Sequence, residues 1–279
     1  MINKDIQEDT LARKHTNTYE LSILMGMDSF DYMVLDSQQQ VLAVKSFGLG
    51  SGPGYLSAVE AAFQSDKFLH QPFRNIRAGL TSGKFTLIPQ RLYNPGENEA
   101  YIRQLTVLAA EEDARADALP QLGMYNVYSA YREEVSLARR LFPGCRFFHL
   151  ATALLEGLRH NLGTQEGYSI FAHLRGGQLY IIVFEGKELR FSNAFRYQAA
   201  KDFIYYVLLI YQQFGLEPER HTLHLSGQLV QDSEIYREAV RYIRHLEFLT
   251  APAFFQFGPR LSQEPQYLYF GLLGLSLCS

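Results

Sequence analysis

The feature that most constrains the fold of this chain is a pattern that occurs twice. In each half, three short strand-like stretches joined by tight turns precede a helix, a further strand and a further helix. Strands joined by tight turns pair antiparallel, whereas a strand reached through a helix joins a sheet as a parallel neighbour. The pattern therefore predicts an α/β protein of two lobes, each with a mixed sheet that starts as a three-strand meander and is flanked by helices.

The first repeat follows a polar segment, residues 1–17, which we expect to form a flexible arm. Its meander is expected at Glu20–Met25, Tyr32–Asp36 and Val41–Phe47. The glycine-rich stretch Gly48–Gly54 then connects to a helix. Beyond that helix we expect a hairpin of Ile76–Leu80 and Lys84–Pro89, a helix at Glu97–Ala110, a solvated acidic linker at Glu111–Asp117, a strand at Met124–Ser129, a helix at Arg132–Leu141, a strand at Arg146–Leu150 and a helix at Thr152–His160.

The polar, glycine-bearing loop Asn161–Gly167 is the predicted boundary between the lobes, which gives lobes of residues 18–160 and 161–279. After it the pattern restarts. Its expected elements are strands at Tyr168–Leu174, Gln178–Glu185 and Glu188–Ala194, a helix at Ala199–Phe214, a strand at Thr222–Leu225, a helix at Ser233–Leu249 and a closing apolar segment at Tyr267–Leu277.

Composition narrows the class of partner. The formal net charge is -3, which gives no electrostatic reason to expect nucleic acid. The longest apolar runs, Phe203–Tyr211 and Leu268–Leu277, are too short to span a bilayer. The N-terminus is polar rather than signal-like, and two cysteines far apart in sequence suit a reducing compartment. We therefore expect a cytoplasmic protein without a transmembrane segment.

Three short segments fall where nucleotide motifs would lie in a two-lobed fold of this kind. They are Leu24-Met25-Gly26 at the first hairpin, His173-Leu174-Arg175 followed by Gly176-Gly177 at the second, and Leu225-Ser226-Gly227-Gln228 after the later strand. With the repeated element order, they give the chain a resemblance to the actin-like ATPase superfamily, whose core is ribonuclease H-like. It most resembles the degenerate PilM-type and GspL-type bacterial proteins and a bacterial family of unknown function.

The resemblance implies an Asp-x-Gly at each hairpin, with the first Asp organising magnesium. Here the first carboxylate is replaced by Leu24, and the second segment has lost both its Asp and its Gly. Magnesium needs hard oxygen ligands, which neither an alkyl group nor the imidazole of His173 supplies. Asp28 or Asp31 remains an alternative carboxylate, although turn residues are commonly Asp on local grounds. Any bound nucleotide would be lined by Gly26, Asp28, Arg175, Gly176, Gly177 and Gly227.

Other motifs are incomplete. Gly79–Phe85 has a glycine spacing one residue short of a Walker A loop, and Phe85 stands where a magnesium-binding hydroxyl belongs, so we interpret it as a hairpin turn. Gly48–Gly54 completes no dinucleotide motif and is interpreted as a connector. Cys145 and His149 are expected to be unrelated core residues rather than a nucleophile and its base. We expect no metal site.

Two main hypotheses follow. The first is a non-catalytic actin-like scaffold that binds other proteins, including copies of itself, with membrane machinery as a partner by analogy alone. The second is an ATPase or small-molecule kinase that binds ATP and magnesium through divergent phosphate motifs. A hydrolase or transferase whose groups converge only in space is a third alternative. The missing carboxylates favour the first hypothesis, with no catalytic residue and no cofactor.

Overall fold

The computed structural model describes residues 4–26, 28–50, 52–162 and 167–279. The predictions that involve Met27, Ser51 and residues 163–166 of the boundary loop therefore lie outside the described residues. In the first half the strands are β1 (Lys4–Gln7), β2 (Glu20–Met25), β3 (Ser29–Leu35), β4 (Gln40–Gly48), β5 (Asn75–Leu80), β6 (Phe85–Pro89), β7 (Glu112–Leu119), β8 (Met124–Tyr131) and β9 (Arg146–His149).

The first-half helices are α1 (Tyr55–Ser65), α2 (Asn98–Arg103), α3 (Arg132–Leu141) and α4 (Leu150–Asn161). The second half contains β10 (Tyr168–Arg175), β11 (Gln178–Glu185), β12 (Glu188–Arg196), α5 (Ala200–Gln213), β13 (Leu223–Gly227), α6 (Glu234–Tyr242), β14 (Leu246–Phe248), β15 (Gln256–Phe257) and α7 (Phe270–Leu277).

Both meanders are confirmed, and they begin two sheets with the same order. The first sheet runs β4-β3-β2-β5-β9 and the second runs β12-β11-β10-β13-β14. In each, the meander pairs antiparallel and the two later strands add parallel to it. The central strands are rich in β-branched, aromatic and other apolar residues because both faces of each sheet are covered. The prediction of two mixed sheets, each beginning with a three-strand meander, is thus confirmed.

The residues predicted as a flexible arm are partly ordered on the first sheet. Strand β1 pairs antiparallel with β4 and extends that edge. The buried Glu8 carboxylate accepts hydrogen bonds from the backbone amides of Arg260 and Leu261. The prediction of an arm was wrong for this stretch because polar composition does not show which backbone and side-chain groups find partners.

The expected hairpin of β5 and β6 does not form. Strand β5 pairs with β2 and β9, whereas β6 pairs with β8 in a separate three-stranded sheet, β6-β8-β7. Residues 81–83 therefore carry the chain from one sheet to another. The strand-like residues on both sides were identified correctly, but short loop length alone does not determine the pairing partner.

The predicted acidic linker, Glu111–Asp117, was also wrong, because most of it belongs to β7. Glu112 and Asp117 are buried in this strand, whereas Asp113 is exposed. Glu112 pairs with Lys84, and Asp117 accepts hydrogen bonds from Tyr128 and Thr152. A run of acidic residues predicts solvation only where no such partners exist.

Three further expectations need adjustment. Helix α2 is shorter than the predicted Glu97–Ala110, and α6 ends at Tyr242, so that β14 occupies the end of the predicted helix. The segment after β14 returns to the first sheet, since β15 pairs with β4. Helix α7 packs against α4, β2 and β5, although our predicted boundary assigns it to the second lobe. The division into lobes at residue 161 stays a prediction.

Helices α4 and α7 approach very closely. A Cβ at Gly274 would lie 2.0 Å from the Ala153 carbonyl oxygen, and one at Gly157 would lie 3.1 Å from the Phe270 ring. Gly274 of the C-terminal apolar segment is thus required for close backbone contact rather than for a turn. Helix α7 is buried almost throughout and lies beside the cleft between the lobes.

Candidate functional site

The candidate site lies where the carboxyl ends of β2 and β10 meet. These strands hold the same position in their sheets, and each continues into the turn of its meander. The first-lobe turn, between β2 and β3, and the second-lobe turn, between β10 and β11, are therefore equivalent and face each other across the cleft between the lobes. A cavity of about 260 Å³ lies between them and α7.

An arginine from the second lobe bridges this cleft. Arg175 Nη1 lies 2.5 Å from Asp31 Oδ2, and both side chains are more than nine-tenths buried. Arg175 Nη2 donates to the Ser29 hydroxyl at 3.2 Å and lies 3.4 Å from the Leu24 carbonyl oxygen. Asp31 also accepts a hydrogen bond from the Ser46 hydroxyl. The first lobe thus contributes the acceptors and the second contributes the cation.

Two glycines leave room for this bridge. A Cβ at Gly26 would lie 2.9 Å from Arg175 Nη2, so a larger residue there would displace the guanidinium. A Cβ at Gly79 would lie 2.6 Å from Leu24 Cδ1, which lets the leucine side chain pack down on β5. Gly26 is predicted from the phosphate motif, yet its observed neighbour is a protein side chain.

The second-lobe turn is reinforced by Gln228. Its Nε2 donates to the Ser29 hydroxyl at 3.2 Å, and its Oε1 accepts from the Gly176 amide at 3.0 Å. Gly176 and Gly177 have positive φ angles of 54° and 75° in the turn itself. Gly227 has φ 86°, and a Cβ there would lie 2.2 Å from the Leu174 carbonyl oxygen. These glycines are therefore needed by the backbone of the turn.

His173 is buried beside the bridge. Its Nδ1 lies 2.9 Å from the Ser226 hydroxyl, while its Nε2 has no hydrogen-bond partner among the described residues. Burial, with the Arg175 charge added, lowers the pKa of His173 to about 3. The imidazole is therefore neutral near pH 7 and is not a second cation in the cleft.

The structure brings the predicted site residues together. Asp28, Arg175 and Gly227 line the cavity, Gly26 contacts Arg175, and Gly176 and Gly177 form the adjoining turn. That they bind nucleotide stays a prediction. Sequence reasoning missed Ser29, Gln228 and Tyr269. Gln228 was visible as the residue after Gly227, but no sequence signal indicated that Tyr269 of the C-terminal segment would line the same cavity.

The residues present do not suit a magnesium–triphosphate group. Leu24 offers no ligand through its side chain, and Asp31, which points into the cleft, is already neutralised by Arg175. Within the described part of the chain, no three His, Cys, Asp or Glu side chains come close enough together to hold a metal ion. Phosphoryl transfer depends on a metal placed by carboxylates, so we derive no catalytic step at this cleft.

The motifs judged incomplete have other roles. Lys84 of the Walker-like segment lies 2.6 Å from Glu112 and also donates to the Val107 carbonyl, so its ammonium group is paired within the three-stranded sheet region. In the glycine-rich connector, the amides of Leu49 and Gly50 donate to the Asp28 carbonyl oxygen. The connector is therefore hydrogen-bonded to the first-lobe turn.

A second buried polar cluster surrounds His149 in the first lobe. His149 Nδ1 accepts from the Ala151 amide at the start of α4, so in the neutral ring Nε2 carries the proton and donates to the Ser82 carbonyl. Asp117 accepts from the His149 amide and from the Thr152 hydroxyl, each at 2.7 Å. The Tyr180 hydroxyl of the second lobe donates to the same Ser82 carbonyl.

This cluster is structural. Burial lowers the pKa of His149 to about 4, and burial raises the pKa of Asp117 to about 6 despite the hydrogen bonds it accepts. The Cys145 thiol lies 3.8 Å from the Ala138 carbonyl oxygen rather than being hydrogen-bonded to His149, and burial raises the pKa of the thiol to about 11. A nucleophile–base pair is not formed here.

Comparison with known proteins identifies the fold and a family. The profile of a family described as "protein of unknown function (DUF3822)" matches residues 8–246. A Bacteroides thetaiotaomicron protein with an actin-like ATPase fold and unknown function superposes with a TM-score of 0.81 at 18% identity, covering 97% of this chain and 100% of that one. No curated protein matches the chain.

Two further solved structures share the fold. The PilM-PilN type IV pilus biogenesis complex contains a chain that superposes with a TM-score of 0.60 at 15% identity, covering 92% of this chain and 97% of that one. The ethanolamine utilization protein EutJ from Carboxydothermus hydrogenoformans gives 0.53 at 11% identity, with coverage of 97% and 95%. Among the described helices, none combines the length and apolar character that crossing a membrane requires.

Proposed function

Since this chain belongs to the DUF3822 family, whose description names no activity, we propose its function from the cleft: a non-catalytic, protein-binding scaffold built on the actin-like ATPase fold. Its partners are other proteins, including copies of itself, and it acts in the cytoplasm.

The observation that carries this proposal is the ion pair between Arg175 and Asp31. The pair joins the two turns between which a magnesium–nucleotide would sit in a working member of the superfamily. Removing one partner of a buried pair typically costs about 3–5 kcal/mol. A nucleotide would have to displace the Arg175 guanidinium and leave Asp31 facing its phosphates, so the cleft opposes nucleotide entry.

The same contacts support a fixed rather than a moving arrangement of the lobes. Arg175 and Gln228 tie the second lobe to Ser29, and Tyr180 ties it to Ser82 on the other side of the interface. Lobes held together in this way present one constant surface, which suits a scaffold better than an enzyme that opens and closes at each turnover.

The likeness to PilM supports the choice of protein partners. That protein is described in a type IV pilus biogenesis complex with PilN. The identity of 15% carries the fold alone, so the partner of this chain is proposed only as a protein, by analogy.

The test is a nucleotide assay paired with a partner assay. We expect purified wild type to show no magnesium-dependent ATP hydrolysis and no calorimetric binding of millimolar ATP or ADP. Turnover that is present in wild type and lost in Asp31→Asn, but kept in the control Lys84→Met, would overturn the non-catalytic assignment.

Partners are identified by crosslinking in the native cell, and the complex is then rebuilt from purified components. We expect the rebuilt complex to have the same Kd with and without magnesium–ATP. A complex that forms only with nucleotide would contradict the proposal, because it would require the cleft to open.

A further inference from the structure

The cavity between the lobes has mostly apolar walls. Leu24, Val44, Leu268 and Leu272 line it, and Val230, half exposed, lies at its rim. Its volume of about 260 Å³ exceeds the roughly 150 Å³ that accommodates benzene in an engineered apolar cavity. By that scale it accepts a molecule of about ten non-hydrogen atoms.

Two buried polar atoms on residues that line this cavity have no protein partner. His173 is 4% exposed and Tyr269 is 8% exposed, and neither His173 Nε2 nor the Tyr269 hydroxyl makes a hydrogen bond to a described residue. Asp28 Oδ1, on a third lining residue, is buried and unpartnered as well. A buried polar atom left without a partner is destabilising, so a molecule that pairs with these atoms gains binding energy.

The charges around the cavity argue against an anionic ligand. Among the described residues lining it, the cations are Lys4 and Arg175, and each is already paired, with Glu264 and Asp31 respectively. Asp28 adds a further carboxylate, and its Oδ1 has no hydrogen-bond partner among the described residues. A phosphate or carboxylate would therefore enter a site with no free positive charge.

We propose that this cavity binds a small uncharged organic molecule, with an apolar ring or chain against the leucine and valine walls. A hydroxyl or amide group of the ligand hydrogen-bonds to the Tyr269 hydroxyl. This ligand is distinct from a nucleotide in size and charge, and it is independent of whether the protein is a scaffold.

The experiment uses two isosteric probes, 2-phenylethanol and n-propylbenzene, which differ by a hydroxyl in place of a methyl group. We expect both to bind the full chain by ligand-observed NMR and calorimetry. The alcohol should bind roughly tenfold more tightly, the effect of about one hydrogen-bonded pair. Failure of both probes to bind wild type would overturn the proposal.

Variants locate the binding. Tyr269→Phe removes one unpartnered hydroxyl, so we expect it to reduce the preference for the alcohol to within about threefold while the affinity for n-propylbenzene stays unchanged. Val230→Trp fills the rim and should abolish binding of both probes. Val240→Trp on α6 is the matched control, because Val230 is 51% and Val240 is 54% exposed.

Two outcomes would contradict the assignment. Equal binding by Val230→Trp and Val240→Trp would place the probes elsewhere on the protein. Calorimetric binding of ATP that is blocked by Val230→Trp would show that the cavity takes an anion, and it would also count against the non-catalytic scaffold. Loss of probe binding alone leaves the scaffold proposal unaffected.

Discussion

The two turns that face each other across the cleft occupy equivalent places in the two lobes but carry opposite chemistry. The first-lobe turn presents Asp31, the Ser29 hydroxyl and the Leu24 carbonyl, all hydrogen-bond acceptors, while the second-lobe turn presents the Arg175 guanidinium. The resemblance implies a carboxylate on both turns, which would repel each other unless a metal ion lay between them. Here the Arg175 guanidinium takes the place of that ion, so the lobes are joined without a bound ligand.

The largest expected effect comes from breaking this complementarity on one side. Arg175→Met leaves Asp31 buried without its cation, and Asp31→Asn leaves Arg175 buried without its anion. We expect each variant to lose about 3–5 kcal/mol of unfolding free energy, measured by urea denaturation.

The double variant Arg175→Met/Asp31→Leu is the control, because exchanging a whole buried pair for apolar groups is often nearly neutral. It should recover most of the stability lost in either single variant. Losses below about 1 kcal/mol in both single variants would mean that the bridge does not hold the lobes together.

Substituting a glycine at either turn should lower the unfolding free energy by less, and the two glycines should differ in how much. Gly227→Ala places a Cβ 2.2 Å from a backbone oxygen at a φ of 86°, so neither the clash nor the strain is easily relieved. We expect a loss of about 3 kcal/mol. Gly26→Ala meets the end of the Arg175 side chain at 2.9 Å, which can shift, so a loss of about 1 kcal/mol is expected.

Thermal and urea unfolding of both glycine variants check this order. A larger loss at Gly26 than at Gly227 would show that the guanidinium is held more rigidly than the backbone of the second turn. The more rigid element would then lie in the first lobe.

Sequence patterns predicted the parts of this fold that depend on local periodicity. The two meanders followed from alternation and turns, and the element order led to the two-lobed assignment. What failed depended on partners distant in sequence. To predict the acidic strand β7, one would have to know that Lys84 and Thr152 are its neighbours. To predict that β5 and β6 pair separately, one would have to know the pairing of the whole sheet.

The candidate site shows the same limit. The resemblance to the actin-like ATPase superfamily predicted that Gly26, Arg175 and Gly227 would lie near one another at the cleft. It did not indicate that Arg175 would pair with Asp31, which was expected to be either a substitute magnesium ligand or an ordinary turn residue. Nor could it place Tyr269, since α7 reaches the cleft through tertiary packing that no local pattern records.

The last expected effect concerns the two buried histidines and the pH dependence of stability. Burial lowers the pKa of both, to about 3 for His173 in the second lobe and about 4 for His149 in the first. An unfolded histidine titrates near 6.5, so below that pH the unfolded state binds more protons than the folded state, and stability falls. From pH 6.5 to 5 each histidine should account for a loss of roughly 1–2 kcal/mol.

The lobes differ in whether a neighbour offsets this loss. Asp117 lies in the His149 cluster, and its raised pKa of about 6 means that the folded state binds more protons between about pH 4 and 6. Its contribution therefore rises as pH falls, by roughly 1 kcal/mol over the same interval. The charge that acts on His173 is that of Arg175, a cation, which lowers the pKa of His173 further and so does not offset the loss.

His173→Gln should therefore flatten the acid dependence of stability, whereas Asp117→Asn should steepen it. Urea denaturation at half-unit steps from pH 5 to 7 measures both slopes against wild type, and only the change in slope is compared, since each substitution also shifts stability at pH 7. If His173→Gln leaves the slope unchanged, the imidazole has the same pKa in the folded and unfolded states and becomes charged in the folded protein as pH falls below 6.5. A second cation would then lie beside Arg175 at acid pH, and the charge complementarity of the two turns would no longer describe the cleft.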